Sequence, residues 1–161
     1  MPGFLPRRTA RGAPELDRAE HKSWQNYLAT VLRMTVLLNR QLTDTHRLSL
    51  ADVQLLDLLD HARDGGMQMG DLADASATPS SWLTRHIKRL EDRGLVGREV
   101  SPHDRRCVLV TLTGLGRTVV EQAMITYANS VRTHFLGPLT RPQIAAMATT
   151  CRQIREAMLT A

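Results

Sequence analysis

Four polar side chains recur at helical spacing in the middle of the chain, and their types suit contact with a polyanion. At about 100° per residue, Ser81, Thr84, Arg85 and Lys88 fall on one face of a helix. Short hydroxyls and long cations are the groups that reach base edges and phosphates in a major groove. We therefore predict that this face, together with the neighbouring Arg89, contacts double-stranded DNA.

A second charged group follows the first within twenty residues. Arg98, Asp104, Arg105 and Arg106 lie in or between two segments rich in β-branched residues, 95–100 and 107–112. These segments are predicted strands, and the Pro- and Asp-containing stretch between them is typical of a turn. The result is a hairpin whose tip carries two arginines and an aspartate. A turn that is charged simply because it is exposed is the alternative.

The helix with the polar face must be held by its opposite side. Leu83, Ile87 and Leu90 follow one another at i, i+4 and i+7, which predicts a buried stripe. We expect Thr78 to cap this helix and Pro79 to occupy its first position.

A short helix is predicted just before it, over residues 69–77. Two short helices followed by a hairpin are typical of a winged helix-turn-helix, to which Met67 and Gln68 would add a short third strand. Trp82, the largest side chain beside the polar face, is expected to pack against the wing or a neighbouring helix; altered base preference is the alternative.

The stretch from Leu83 to Arg117 carries a family resemblance. It contains the run RLEDRGLVGREVSPHDRRCVLVTLTGLGR. This run resembles the MarR family of bacterial transcription regulators, whose pattern is RLE-x-x-GLV-x-R, a wing with P-x-DRR, then V-x-LT-x-x-G. The match has no gap, and the order of predicted elements extends the resemblance to residues 20–160.

The resemblance implies a function and roles for particular residues. A MarR-type regulator is a homodimer that binds a palindromic operator, most often as a repressor, and small aromatic acids are its usual effectors. An arginine of the DRR motif, Arg105 or Arg106, would enter the minor groove, and Asp104 would brace the wing through an ion pair. Arg98, after GLV, would contact a phosphate.

The predicted fold is mainly α with a small β-wing, in one compact domain. We expect a disordered basic arm (1–14), a winged helix-turn-helix (48–112), and a helical dimerisation region in two parts (15–47 and 113–161). Heptad-like apolar seams within residues 24–42 and 144–158 call for a partner subunit, although packing within one subunit accounts for some of the first seam.

Cap signals mark the flanking helices. Ser49 with Asp52 forms a predicted capping box, and a helix follows that ends at Asp64-Gly65-Gly66. Thr113 is expected to cap a helix reaching to about residue 135, and Thr140 with Gln143 to open a last helix that ends near residue 158.

Charge distribution supports a polyanionic partner. The formal charge is +5, and residues 79–106 hold seven cations against four acids, whereas residues 49–78 hold six acids against Arg63 alone. An ordinary solvated face would mix its signs. The sequence contains neither a secretory signal nor a membrane-spanning run, so a cytoplasmic location is expected.

A small-molecule effector would need aromatic walls and a few polar groups. Lys22, Trp24 and Tyr27 on the first helix and Tyr127 on the fifth are candidates for such a pocket. The alternative is that Trp24 and Tyr127 belong to a dimer interface.

Other chemistry finds little support in the sequence. The chain has no phosphate-binding glycine loop, nucleophile elbow or HExxH motif, and its histidines show no ligand spacing, so we expect neither an enzyme nor a cofactor or metal site. Cys107 and Cys151 suit structural roles, and neither matches the early first-helix cysteine of peroxide sensors. The remaining alternatives are a winged-helix protein-interaction module and a ligand-binding protein without DNA function.

Overall fold

Six α-helices and a three-stranded sheet make up the described part of the chain. The structure is a computed structural model and describes residues 15–62, 65–100 and 108–159. The elements in chain order are α1 (Arg18–His46), α2 (Leu50–Asp60), β1 (Gly66–Met67), α3 (Met69–Ser76), α4 (Ser80–Asp92), β2 (Val96–Val100), β3 (Val108–Leu112), α5 (Gly114–Val131), a π-helical turn (Arg132–Leu136) and α6 (Arg141–Leu159). The prediction of a mainly α fold with a small β-wing is confirmed.

Side-chain caps fix the starts of α2 and α5. The Ser49 side chain accepts a hydrogen bond from the Asp52 N–H while the Asp52 carboxylate accepts one from the Ser49 N–H, so the predicted capping box is present. Thr113 accepts from the Gly116 N–H at 2.9 Å, as predicted. These two caps hold the helices on either side of the winged region.

Two predicted helix boundaries are wrong. The α4 helix begins at Ser80 with Pro79 as its N-cap, and Thr78 does not cap it because its hydroxyl donates to the carbonyl of Ser76 instead. The α2 helix ends at Asp60, before the glycines. The α5 helix ends at Val131, and the π-helical turn after it continues the helical run to Leu136, close to the predicted end near residue 135.

The sheet has the strand order β1–β3–β2, and both pairings are antiparallel. The register places Val96 opposite Leu112 and Gly66 opposite Thr111. A Cβ atom at Gly66 would lie 2.6 Å from the Val110 carbonyl oxygen, so a larger residue does not fit there. The predicted hairpin and its short third strand are therefore confirmed, with the third strand one residue earlier than expected.

The core joins the winged region to α5. Leu83, Ile87 and Leu90 on α4 are completely buried, which confirms the predicted stripe. They belong to one apolar cluster with side chains of α2, α3, the sheet and α5, among them Leu56, Leu72, Val110, Val120 and Ala123. Burial of this stripe fixes which face of α4 remains outward.

The chain comprises two compact units, residues 1–37 and 38–161. In the first, apolar side chains of α1 remain exposed: Trp24 52%, Leu32 57% and Val36 68%. In the second, none of the α6 residues is buried, and Ile154 and Met158 are 51% and 68% exposed. Within the described residues, no helix has the length and apolar character needed to cross a membrane.

Candidate nucleic-acid interface

The outward face of α4 is exposed and polar. Ser81, Thr84, Arg85 and Lys88 are all exposed, on the side of the helix opposite its buried leucine and isoleucine stripe. The Thr84 hydroxyl donates to the Ser80 carbonyl at 2.9 Å, which leaves its lone pairs available as acceptors. The structure thus places these four predicted contact residues on one accessible surface.

The cations of this surface differ in how they are paired. Lys88 Nζ lies 3.7 Å from Asp92 Oδ1, and Arg98 Nε on β2 lies 3.4 Å from Glu91 Oε1. Arg85, by contrast, makes no hydrogen bond or ion pair with any described residue. Within the described residues, its guanidinium is therefore the one on α4 whose donors have no internal acceptor.

Arg89 is held by a buried carboxylate of α2. Its Nη2 donates to Asp52 Oδ1 at 2.5 Å, and His86 Nδ1 lies 3.0 Å from the same oxygen. The Asp52 side chain is only 3% exposed, against 51% for Arg89. The Asp52 carboxylate, which caps α2, thus also fixes two side chains of α4. The contact between His86 and Asp52 requires the His86 tautomer that carries its proton on Nδ1.

Asp52 remains ionised in this setting. Burial alone would raise the pKa of Asp52, but hydrogen bonds from the Ser49 side chain and backbone, with those from His86 and Arg89, outweigh it and lower that pKa below 3.8. The network therefore contains a true carboxylate at neutral pH.

The wing tip lies outside the described residues. Asp104, Arg105, Arg106 and Cys107 fall in the segment 101–107, so their predicted roles at the minor groove and on the strand stay predictions. The same holds for the disordered arm expected over residues 1–14. Cys151 is an exposed free thiol on α6.

The inner side of α4 carries Trp82. Its ring stacks on the His86 imidazole with centroids 3.4 Å apart, and it packs against the core cluster. It also lines a pocket of about 340 Å³ whose other walls come from α2, the end of α3 with the turn after it, and α5. Packing against neighbouring helices, the expected role, is therefore confirmed.

The effector candidates belong to different compact units of the chain. Tyr127 lines the pocket beside Trp82, in the unit 38–161. Lys22, Trp24 and Tyr27 belong to the unit 1–37, where the Trp24 and Tyr27 rings lie 5.9 Å apart and are both about half exposed. Their joint role in one site stays a prediction.

Sequence reasoning missed the contacts that involve Asp52 and His86. The sequence indicates Asp52 only as a helix cap, and its pairing with His86 on α4 spans 34 residues. The one available signal was the i, i+3 spacing of His86 and Arg89, which places both side chains on one flank of α4. Among residues 15–62, 65–100 and 108–159, no cluster of three or more His, Cys, Asp or Glu side chains forms a metal site.

Known proteins resemble the chain in both sequence and structure. The model of the MarR family matches residues 48–108. A Bacillus subtilis HTH-type transcriptional regulator, YdgJ, is 38% identical over 76 residues, which are 47% of this chain and 45% of YdgJ. The chain thus spans about half the length of the curated relatives it matches first.

Two Streptomyces coelicolor structures extend the likeness to most of the chain. AbsC, a MarR family transcriptional regulator, has a TM-score of 0.85 and 26% identity, and the match covers 92% of this chain and all of AbsC. Sco3205, solved in complex with DNA, has a TM-score of 0.84 and 26% identity, with 89% and 94% coverage. The winged helix-turn-helix of this chain, residues 48–108, thus matches the MarR family, and most of the chain is similar in structure to MarR family transcriptional regulators.

Proposed function

We propose that the protein is a sequence-specific, DNA-binding transcription regulator that acts as a homodimer on a palindromic operator. The observation that carries this proposal is the exposed polar face of α4, where Arg85 has no partner among the described residues. An arginine with free donors pairs with O6 and N7 of guanine in the major groove. Sco3205, which has the same fold and was solved in complex with DNA, supports a DNA-binding role for this fold.

Within this proposal the contacts divide by type. Arg85, with Ser81 and Thr84, reads bases, whereas Lys88, Arg89 and Arg98 contact phosphates after exchanging or sharing their carboxylate partners. Arg105 or Arg106 enters the minor groove from the wing tip, and Asp104 braces that tip.

Dimerisation is proposed through residues 15–47 and 113–161. Exposed apolar side chains occur on α1 in one unit and on α6 in the other, and surfaces of this kind mark interfaces between subunits. A two-fold dimer presents two copies of α4, which explains the expectation of half-sites about 10 base pairs apart.

Mass measurement in solution tests the dimer. We expect twice the chain mass of 18.0 kDa. Val36→Glu, at a 68% exposed position of α1, should shift the protein toward the monomer, whereas Gln68→Glu, which adds the same charge at a position before α3, should not. A stable monomer of the unaltered protein would contradict this part of the proposal.

Regulation is proposed to be repression, relieved by a small ligand with an aromatic body. A dimer seated on an operator blocks access to the promoter, and a ligand that favours another spacing of the two lobes shifts the population away from the DNA-bound form. The pocket that contains Trp82 and Tyr127 supports the presence of such a ligand.

The decisive experiment identifies the DNA that the purified protein retains from its own fragmented genome. We expect a small set of fragments sharing an inverted repeat, and retention that weakens as salt rises. Arg85→Ala should weaken this enrichment, while Gln68→Glu, on the same lobe, should keep it. Retention of no DNA, or of random fragments only, would refute the proposal.

A further inference from the structure

The residues that line the pocket behind α4 do not suit an acidic ligand. Its volume of about 340 Å³ falls in the range of small-molecule sites. Its described lining residues come from α2, α3 and the turn after it, α4 and α5, and include Asp57, Trp82 and Tyr127. Aliphatic and aromatic side chains form most of the wall, and amide and hydroxyl groups are interspersed.

The charge of the lining has one sign. Among the lining residues that the structure describes, Asp57 is the single carboxylate, and none is a lysine, arginine or histidine. An anionic ligand would lose its hydration and meet a negative charge without a cation in return, which is costly in a partly enclosed site. A cationic ligand would gain the carboxylate as its counter-ion.

Aromatic side chains strengthen the preference for a cation. Trp82 and Tyr127 both line the pocket, and indole and phenol rings attract cations through the negative potential of their faces. We propose that this pocket binds a small organic monocation with an aromatic or apolar body, held by the Asp57 carboxylate and the Trp82 and Tyr127 rings. The ligand class thus has the opposite charge to the aromatic acids that the family resemblance implies.

His61 is the group that competes for the same carboxylate. Its Nδ1 lies 2.9 Å from the Asp57 carbonyl oxygen and 3.5 Å from Asp57 Oδ1. The hydrogen bond to that carbonyl, and then the Asp57 charge, raise the pKa of His61; Asp60 adds to the effect although it is itself paired with Arg117. A protonated His61 neutralises Asp57, so affinity for the cation should rise as pH rises through the His61 titration. His61→Gln should remove that dependence.

Occupancy of the pocket has a direct route to the DNA-reading helix. Trp82 lies on α4 and stacks on His86, which is bonded to Asp52 together with Arg89. A ligand that moves Trp82 therefore acts on the same helix that carries Arg85. This regulatory consequence rests on the proposed function, whereas binding of the cation does not.

The test is calorimetric titration of the full chain without DNA, at about pH 8.5 so that His61 is largely neutral. Three probes share a phenyl ring: benzyltrimethylammonium, benzyl alcohol and benzoate. We expect benzyltrimethylammonium to bind at least about tenfold more tightly than the other two. Asp57→Asn should lower its affinity by about tenfold and leave benzyl alcohol unchanged.

A matched variant controls for overall charge. Asp71→Asn removes one negative charge from an exposed residue of α3 that is outside the pocket lining, and it should leave the affinity for the cation unchanged. Asp57→Lys should reverse the preference in favour of benzoate, which a misfolded pocket would not do. Equal binding of the three probes, tighter binding of benzoate to the unaltered protein, or equal losses in both asparagine variants would overturn the inference.

The two proposals fail separately. Cation binding that depends on Asp57, in a protein that retains no genomic DNA, would uphold the ligand site and refute the regulator. Specific DNA retention without cation binding would uphold the regulator and overturn the ligand class.

Discussion

Removal of the Asp52 carboxylate should destabilise the protein far more than removal of an exposed one. In Asp52→Ala, the Ser49 N–H loses its capping acceptor, and His86 and Arg89 lose the oxygen they share. All of these groups meet at a side chain that is 3% exposed. The change therefore removes an N-cap bond and two charge-assisted bonds at once.

The size of this destabilisation depends on how exposed to water each partner of Asp52 is. Removal of a cap costs about 1 kcal/mol. His86 has a side chain only 15% exposed, so its unmet bond to a charged group costs about 1.5–2 kcal/mol. Arg89 is half exposed and regains hydration, which limits its share to about 0.5 kcal/mol. We expect a total decrease of about 3 kcal/mol in the free energy of unfolding.

Denaturant unfolding followed by circular dichroism measures this difference. Asp44→Ala is the matched control, because it also removes a helical carboxylate paired with an arginine, Arg40 at 3.7 Å, but with both side chains more than two-thirds exposed. It should change the free energy of unfolding by less than about 0.5 kcal/mol. If Asp52→Ala costs no more than Asp44→Ala, the network contributes nothing to stability and the reasoning is refuted.

The pH dependence provides an independent check of the same group. Since the pKa of Asp52 is lower in the folded state than its ordinary value of 3.8, the folded state binds fewer protons at this site than the unfolded state does. Its contribution is complete above that value and is lost as pH falls through the lowered pKa. The stability gap between the unaltered protein and Asp52→Ala should therefore narrow only in acid, below about pH 4.

Three further predictions concern DNA binding and packing. Arg85→Ala should cost about 1–3 kcal/mol of binding free energy on the operator and relax base preference at one base pair per half-site, whereas Lys88→Ala should lower the affinity for all sequences alike. Binding selection on randomised half-sites distinguishes the two variants, and an unchanged consensus for Arg85→Ala would show that Arg85 contacts a phosphate. Arg106→Ala should reduce the slope of log affinity against log salt by about 0.9 for each DNA charge that the arginine neutralises, and an unchanged slope would show that this arginine only braces the turn. Gly116→Ala should lower the free energy of unfolding by more than about 2 kcal/mol, because the added Cβ would collide with the Leu95 carbonyl oxygen. Gly70→Ala adds its Cβ in open space and should stabilise the protein slightly; thermal unfolding of both variants checks these expectations.

The sequence was most informative for features that depend on residues close together along the chain. The Leu83, Ile87 and Leu90 stripe and the Ser49–Asp52 box depend on spacings of three or four residues, and both are present. The start of α4 was misplaced because two cap signals, a hydroxyl and a proline, stood side by side. The Thr78 hydroxyl bonds backward to Ser76, a choice that local preferences do not distinguish.

The tertiary part of the site could not be predicted. The contacts of Asp52 with His86 and Arg89 bring α2 against α4, and the pocket joins residues from 51 to 127. The spacing of residues within α2 or α4 does not predict a contact between the two helices. The sign of the pocket's charge was missed for the same reason, since Lys22 was the expected cation and Asp57 was not among the candidate residues.

Under the proposed function, the ion pairs around α4 have a consequence for how quickly the protein finds an operator. Lys88, Arg89 and Arg98 carry their own carboxylate counter-ions, which compete with every phosphate the protein meets. This competition lowers residence on random DNA, where phosphate contacts supply nearly all the affinity. Arg85 has no such competitor among the described residues, so the base contact proposed for it is not weakened by an internal partner. A chromosome offers on the order of 10⁶ or more decoy sites, and a protein that leaves each of them sooner reaches its own site earlier.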